Sequence, residues 1–501
     1  SNEGSPNVDI HKVDVITVQT FDPPRLVLQP RQIVFNAVAG QSNTNRQQLR
    51  VTIDRDYLPA ANWTLTNTAS WLLTSITNGS TPDSADLSVD TSGLLPGVYE
   101  TVIACEAPGA VGTNARVTLI INPAERVQIA PWKGGLRGAM SLSVDDGDPS
   151  GFADLYAHGL RGTYVMNGDV APNYYTEYYE AGMELGSHTI THVCGPLPDG
   201  TLRGEIEGNV AGLLATSPAT EAEVISFVWP CGYTSIKAQS VAYDYFLSAR
   251  GYNINELEDS SPYNLMNLKS FNSHEHTPFP PEDLKTQVDA AIAEGKWFNL
   301  VLHQFNNHDE AVQYSVGKDI WVDTIGAVTK YIVQRDRTVF LNYQEGPEVV
   351  KFDFYRLPLD ATPLRNFETV LSTNDVLTFK LNVSGLPSVT RVRVNGEDVS
   401  VTARDGFLYW NSLVTTNIQS VELDLGENAI PVLSTVSNQI VDEMMTLTVT
   451  NTADDADLPY QSLSYVLIVT NSEGVIQNNA QISANGIISW TPTETQGPGV
   501  Y

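Results

Sequence analysis

The sequence predicts a multidomain chain in which an α/β unit built on a parallel sheet lies between all-β sandwich domains. Three observations carry this expectation. At 501 residues the chain exceeds one ordinary core, because domains run to roughly 150 residues. Residues 22–123 and the stretch from about 351 onward show β-branched content with period-two alternation, punctuated by Gly, Asn, Pro and Ser. Between them, over 139–343, short apolar runs alternate with helical stretches, the pattern of a parallel sheet that is open or closed into a barrel.

In the first segment, LRVTIDRD, LSVDTS, YETVIAC and ARVTLIIN read as strands of one sandwich of about 100 residues. WTLTNTASWLLTSITNGS, LPGVYETVIACEAPGA and ARVTLIIN resemble the BACON-type immunoglobulin-like modules that precede catalytic domains in bacterial carbohydrate-active enzymes. Trp63 and Trp71 read as core aromatics, with sugar contact as the alternative. In the middle segment AMSLSV, GTYVM, ISFVW, WFNLVL and TVFLNY read as strands. YYTEYYEAGM, TLRGEIEGNVAGLLAT, PEDLKTQVDAAIAEG and DIWVDTIGAVTKYIVQR read as helices.

Beyond 351, LTFKLNV and TRVRVNGEDVSV alternate cleanly, and Asn395-Gly396 signals a two-residue hairpin. A further β unit from 428 resembles the cadherin-like or immunoglobulin-like modules of bacterial surface proteins through IPVLSTVSNQIVDEMMTLTVTNTADDADLPYQSLSYVLIV and ISWTPTETQGPGVY. In such modules Gly-Val-Tyr leads into one more strand, so this unit is expected to be truncated. Asp454, Asp455 and Asp457 read as a solvated turn, with calcium binding as the alternative. The expected domains are therefore 1–123, 124–350, 351–427 and 428–501.

A net charge of −30 argues against binding nucleic acid through its phosphates and against docking on an anionic membrane. No window approaches the ~18 apolar residues of a membrane span. Three cysteines cannot build a disulfide scaffold. The start SNEGSPNVD lacks an export signal, so export is expected from domain style, with any signal already removed. The sequons at Asn62, Asn78 and Asn382 matter only in a eukaryotic secretory host.

Four short stretches of the α/β unit end strands and so converge on one rim: SVDDG (143–147), GSHTITH (186–192), FVWPCG (227–232) and LVLH (300–303). His188 and His192, four apart, are expected on one face of a helical turn, both reaching one ion. A carboxylate of SVDDG would complete an Asp-His-His site of the kind zinc accepts, with room for water. The other carboxylate is then available as a general base, and His303 as the acid for the leaving group. Adjacent side chains diverge at a strand end, which suits the two acids to two jobs.

These stretches resemble the polysaccharide deacetylases of carbohydrate esterase family four, whose motifs read T-F-D-D-G, H-[ST]-x-x-H, R-x-P-[YF] and L-x-L-H. GLRGAMSLSVDDG, HGLRGTYVMNG, YYEAGMELGSHTITH and ARGY share the family's texture over roughly 130–345. The resemblance implies a distorted (β/α) barrel catalytic domain of seven or so strands, and the β patterning on either side flanks it with all-β, immunoglobulin-like sandwich domains. It implies Asp145 as catalytic base, and Asp146, His188 and His192 as ligands of one divalent ion, zinc foremost. It further implies His303 as general acid and Leu300 and Leu302 as the acetyl pocket.

The third motif departs from the family: its usual Arg is Val228 and its usual aromatic is Cys231. A subgroup reads F-A-Y-P-Y-G, which FVWPCG fits with Trp229 and Cys231 in place of the tyrosines. Trp229, Pro230 and Cys231 then face substrate, and the Cys231 N–H supplies the oxyanion contact. No residue of this motif orients Asp145, and no fourth motif is identified within NELEDSSPYNLMNLKSFNSHEH. On the same rim Cys194 and Cys231 are either bonded to each other or two reduced thiols. His274, His276 and His308 read as solvated rim-loop residues.

The implied function is a secreted, periplasmic or cell-surface bacterial hydrolase, a monomer removing N- or O-linked acetyl groups from a polysaccharide. The alternative is a catalytically impaired glycan-binding surface protein on the same scaffold.

Overall fold

The computed structural model describes residues 23–501 apart from 42, 44, 55–59, 124–125, 253–254, 274–280, 304–308, 363, 428, 456–457 and 459–462. His274, His276, His308 and Asp457 therefore lie outside the described residues.

The first β unit is two sheets over one core. Leu26–Gln29, Gln47–Ile53, Asp83–Val89 and Leu72–Thr74 form one sheet in that order. Gln32–Val38, Thr113–Asn122, Gly97–Glu106, Asn62–Thr66 and Asn78–Ser80 form the other. Alternate residues such as Phe35, Leu49, Val51, Leu87, Ile103 and Leu119 meet between them. Trp63 and Trp71 lie in this core at 1% and 9% exposure, as the packing reading expects.

Among the described residues the α/β unit contributes eight strands: β1 (Gly138–Val144), β2 (Thr163–Met166), β3 (Glu184–Ser187), β4 (Ser226–Val228), β5 (Ser248–Arg250), β6 (Phe271–Ser273), β7 (Trp297–Leu302) and β8 (Ile320–Val322). Its helices are α1 (Phe152–Ala157), α2 (Tyr175–Glu180), α3 (Asp199–Thr216), α4 (Ile236–Tyr243), α5 (Pro281–Glu294), α6 (Asp309–Ser315) and α7 (Ile325–Arg335). All strand pairs are parallel, in the order β5-β4-β3-β2-β1-β7-β6, with β8 beside the start of β1. The sheet is a half-barrel whose edges approach each other, because Ala249 N and Gly251 N donate to the carbonyls of Leu265 and Leu268, just before β6.

Every residue of β1 and β7 is buried, the mark of parallel strands covered on both faces. The serines of β1 are satisfied locally: Ser141 Oγ accepts from Trp297 Nε1 at 3.1 Å, and Ser143 Oγ bonds the Leu300 carbonyl. Two sequence expectations fail here. DIWVDTIG is not helical throughout: its IWV forms β8, and the helix begins after Thr324, whose hydroxyl caps Ala327 N. TVFLNY does not join the parallel sheet. Thr338–Glu345 pairs antiparallel with Val349–Arg356 in the following β unit, and the alternate burial of that partner strand serves a one-sided core.

That unit pairs a sheet of Thr338–Glu345, Val349–Arg356, Gln419–Gly426, Ser388–Val394 and Glu397–Asp398 with a second one. The second comprises Val127–Ile129, Leu377–Asn382, Phe407–Ser412 and Thr402–Arg404. Chain from both sides of the α/β unit therefore meets here. Asn395-Gly396 makes the expected tight hairpin, with φ of 52° and 84° and Val394 paired to Glu397. The core joins Phe352, Phe354, Phe379 and Trp410 to Trp297, Trp321 and Ile332 of the α/β unit, which ties the two together. Residues beyond 428 form small sheets, including Leu447–Thr450, Ile487–Trp490 and Ala480–Ile482.

Phe379 is fully buried, stacked on Trp410 at 5.1 Å and edge-on to Phe340 and Phe354. Phe379→Ala should destabilise this unit by ~3–5 kcal/mol through lost burial and a residual cavity. Urea denaturation followed by tryptophan fluorescence should show a lower midpoint for it, with the transition of the N-terminal unit unmoved.

Candidate metal centre and active site

The strand ends are sewn together before any side chain is considered. Asp145 N donates to Leu302 O, His188 N to Met166 O and Trp229 N to Arg250 O, at 2.9, 2.9 and 3.1 Å. These bonds fix the residues just beyond β1, β3, β4 and β7 at one carboxyl-terminal rim.

The two neighbouring acids go separate ways. Asp145 is 2% exposed and receives Arg250 Nη2 on both oxygens at 2.6 Å. Arg250, the last residue of β5, is fully buried, and its Nη1 donates to Gly251 O. Asp146 turns outward on a left-handed backbone, φ 60°, with Asn167 Nδ2 donating to its Oδ1 at 3.0 Å.

Around Asp146 stand three imidazoles. His188 Nε2 and His192 Nε2 lie 3.7 and 3.5 Å from Oδ1, and His303 Nε2 lies 3.9 Å from Oδ2. His188 Nδ1 sits 2.8 Å from the Val228 carbonyl, which only accepts, so Nδ1 carries the proton and Nε2 presents its lone pair. Burial pushes the His188 imidazole below its ordinary pKa, against the opposing pull of Asp145, which keeps it a neutral donor.

The set Asp146, His188 and His192 fits a cation. Their ligand atoms all lie within 4.8 Å of one another. Tetrahedral zinc with bonds of ~2.0–2.1 Å needs ligand atoms ~3.4 Å apart, close to the separations observed. Two histidines with one carboxylate, the buried one oriented by a carbonyl, are a donor set zinc takes.

The histidines are not on a helical turn. Residues 188–192 form an irregular loop in which Thr189 and His192 are left-handed, φ 67° and 51°, and the two rings meet edge to face at 4.7 Å. The expected helix gives way because α3 supplies the loop's polar partners. Glu205 accepts from the N–H groups of Ile190 and Thr191 and from the Thr191 hydroxyl. Fully buried Asn209 donates to the carbonyls of Met166, Gly168 and Thr189 and accepts from Ser187 Oγ.

After β4 the chain makes one tight turn. Cys231 is left-handed, φ 52°, and its N–H has no acceptor among the described residues. Gly232 follows at φ 69°, where a Cβ would press within 2.6 Å of the Tyr252 Cβ. Cys231 is bonded to Cys194, which ties this turn to the histidine loop. Pro230 is buried at the start of the turn. Trp229 is also buried, donating Nε1 to the Met266 carbonyl. Leu300 and Leu302 are fully buried in the core of the half-barrel. Tyr252 stands edge-on to His303 at 5.9 Å.

Sequence reasoning therefore missed Arg250, Asn209 and Glu205. Arg250 was visible within ARGY, but nothing in its neighbourhood announces a partner 105 residues away.

No protein-family model and no curated protein matches the sequence. Solved structures similar to this chain include Bacillus subtilis PdaA, a family 4 carbohydrate esterase. That match has 12% identity and a TM-score of 0.27, covering 38% of this chain and 80% of that one. BC0361, a polysaccharide deacetylase from Bacillus cereus, matches at 13% identity and a TM-score of 0.20, covering 50% and 94%. A Bacteroides ovatus GH5 xyloglucanase in complex with a XXXG heptasaccharide matches at 9% identity and a TM-score of 0.18, covering 58% and 98%. At these scores the likeness carries no weight for the roles of individual residues.

Asn209→Leu should strip the Gly168 carbonyl of its side-chain donor and Ser187 Oγ of its acceptor, while the Met166 and Thr189 carbonyls keep His188 N and Gly168 N, at roughly 1–3 kcal/mol for each group left unpaired away from water. Thermal unfolding should show the loss, and zinc affinity measured by competition with a chromophoric chelator should fall with it. Unchanged zinc affinity would remove Asn209 from the support of the histidine loop.

Proposed function

We propose that this chain is a metal-dependent hydrolase that removes N- or O-linked acetyl groups from a polysaccharide. The observation that carries the proposal is the division of labour at 145–146: one carboxylate buried on Arg250, the other facing three imidazoles. A structural acid cluster has no need of both.

In this reading Asp146, His188 and His192 hold one divalent ion, zinc foremost. Such an ion, when bound, supplies a Lewis acid and a water that ionises near neutral pH. Asp145 takes the proton of the attacking water, with Arg250 holding its carboxylate in line. The Cys231 N–H, unclaimed by any acceptor among the described residues, stabilises the oxygen that becomes negative as the carbonyl is attacked. His303, on the far side of Asp146, delivers a proton to the departing nitrogen or oxygen. Leu300 and Leu302, fully buried, would form the apolar floor beneath the acetyl group, whereas Trp229 and Pro230, expected to face substrate, are buried.

The excess of acidic side chains suits a neutral or cationic glycan. An exposed disulfide accords with an oxidising compartment, and so with a secreted, periplasmic or cell-surface protein. The alternative, an impaired glycan-binding scaffold, rests on the broken third motif together with the β modules that make up more than half the chain; the buried Arg250–Asp145 pair favours the enzyme reading.

Asp145→Asn, whose amide oxygen still accepts from Arg250 at some cost in stability, should lower acetate release from acetylated glycans by ~10²–10⁴-fold while the folded protein keeps its bound metal. Arg250→Met leaves a buried carboxylate uncompensated, a loss of about 3–5 kcal/mol that Asp145→Asn in the same chain should largely recover. Acetate release undiminished in Asp145→Asn protein would overturn the assignment of the base.

A further inference from the structure

His192 has a different neighbour at each ring nitrogen. Its Nε2 lies 3.5 Å from Asp146 Oδ1, and its Nδ1 lies 4.0 Å from Cys194 Sγ. The ligand atoms of His192, Cys194 and Cys231 all fall within 4.8 Å of one another, so two candidate ligand sets share one imidazole. In the structure the second set is locked, because Cys194 and Cys231 are bonded to each other. Both cysteines are exposed, whereas Cys105 is fully buried in the N-terminal core. A reductant therefore meets this disulfide at the surface.

From this juxtaposition we propose a second, redox-gated zinc site made of Cys194, Cys231 and His192 Nδ1. Its competition with the first site rests on the reading of Asp146, His188 and His192 as ligands; the thiol site itself does not.

The chemistry balances with an external dithiol as reductant. One of its thiolates attacks a sulfur of the Cys194–Cys231 bond, that bond breaks, and a mixed disulfide forms. The second thiol of the reductant resolves it. The reductant leaves as a disulfide, having given two electrons and two protons, and Cys194 and Cys231 remain as thiols. Zinc then displaces their two protons and forms two Zn–S bonds and one Zn–N bond. Zn–S bonds of ~2.3 Å at a tetrahedral angle put the sulfurs ~3.8 Å apart. Side-chain rotation about Cα atoms 5.4 Å apart supplies that separation.

A neutral imidazole has one lone pair, so it ligates through one nitrogen at a time. With Nε2 on an ion held by Asp146 and His188 the proton would sit on Nδ1; with Nδ1 on the thiol-bound ion it would sit on Nε2 and face the Asp146 carboxylate. Soft thiolates favour zinc over the oxygen donor of the first site. Zinc captured by the reduced cysteines therefore withdraws His192 from Asp146 and His188. Exchange with an external disulfide, which takes up the two electrons and two protons and leaves as two thiols, re-forms the Cys194–Cys231 bond, releases the zinc and returns His192 to them.

The test uses cobalt(II) as the probe, on the full chain, oxidised or reduced by a phosphine that is then removed under inert gas. Thiolate-to-cobalt charge-transfer absorption in the near ultraviolet should appear on the reduced protein alone. It should be lost in Cys194→Ser and retained in Cys105→Ser and His188→Ala proteins. Retention in His188→Ala reports the thiol site whether or not the protein releases acetate, so the two readings fail separately. A reduced protein without the band, or a band that persists in Cys194→Ser, would overturn the site. Where acetate release is measurable, added zinc should inhibit the reduced form and spare the oxidised one; equal inhibition of both would overturn the competition.

Discussion

The rim depends on the buried pair between Asp145 and Arg250. In the sheet order β5-β4-β3-β2-β1-β7-β6, the two residues stand on strands separated by three others. Their 2.6 Å contact spans the interior of the curled sheet. Either charge alone would be stranded away from water, so the sheet has to keep the curvature that joins them. With Asp145 drawn inward, the next residue must present its carboxylate to the rim, and the left-handed backbone of Asp146 is how the chain turns to do so.

Left-handed backbone recurs where the proposed chemistry needs it. Asp146, Thr189, His192 and Cys231 all adopt it without being glycine. Such conformations cost of order 1–3 kcal/mol each and persist only where surroundings over-determine them. Here the surroundings are identifiable: Asn167 on Asp146, Glu205 and Asn209 beneath the histidine loop, and the Cys194–Cys231 bond across to the turn after β4. The disulfide and α3 hold the same loop from two sides, which makes His192 the ligand whose position responds to both.

Much of this was legible in the sequence. β1 and β7 follow their apolar runs almost to the residue, and Asp145, His188 and His303 each fall directly after a strand. What local pattern could not carry was long-range pairing. Arg250 resembles any strand-end arginine until β5 is set across from β1. Asn209 and Glu205 resemble ordinary polar helix residues until α3 is packed under a loop whose carbonyls and N–H groups lack partners. The spacing of His188 and His192 suggested a helical turn, and that turn lost to the side-chain partners α3 provides. TVFLNY misled for a related reason: an apolar run reads the same whether its partner strand is parallel or antiparallel.

The central claim is that Asp146, His188 and His192 hold a cation that acetyl removal requires. Acetate release from a panel of N- and O-acetylated glycans, by oxidised protein stripped with a chelator and then restored with zinc, tests it most directly. The account predicts no release from the stripped protein and recovery as zinc is returned toward one equivalent. Release that survives stripping, or a metal-loaded protein inert on every acetylated glycan, would contradict it.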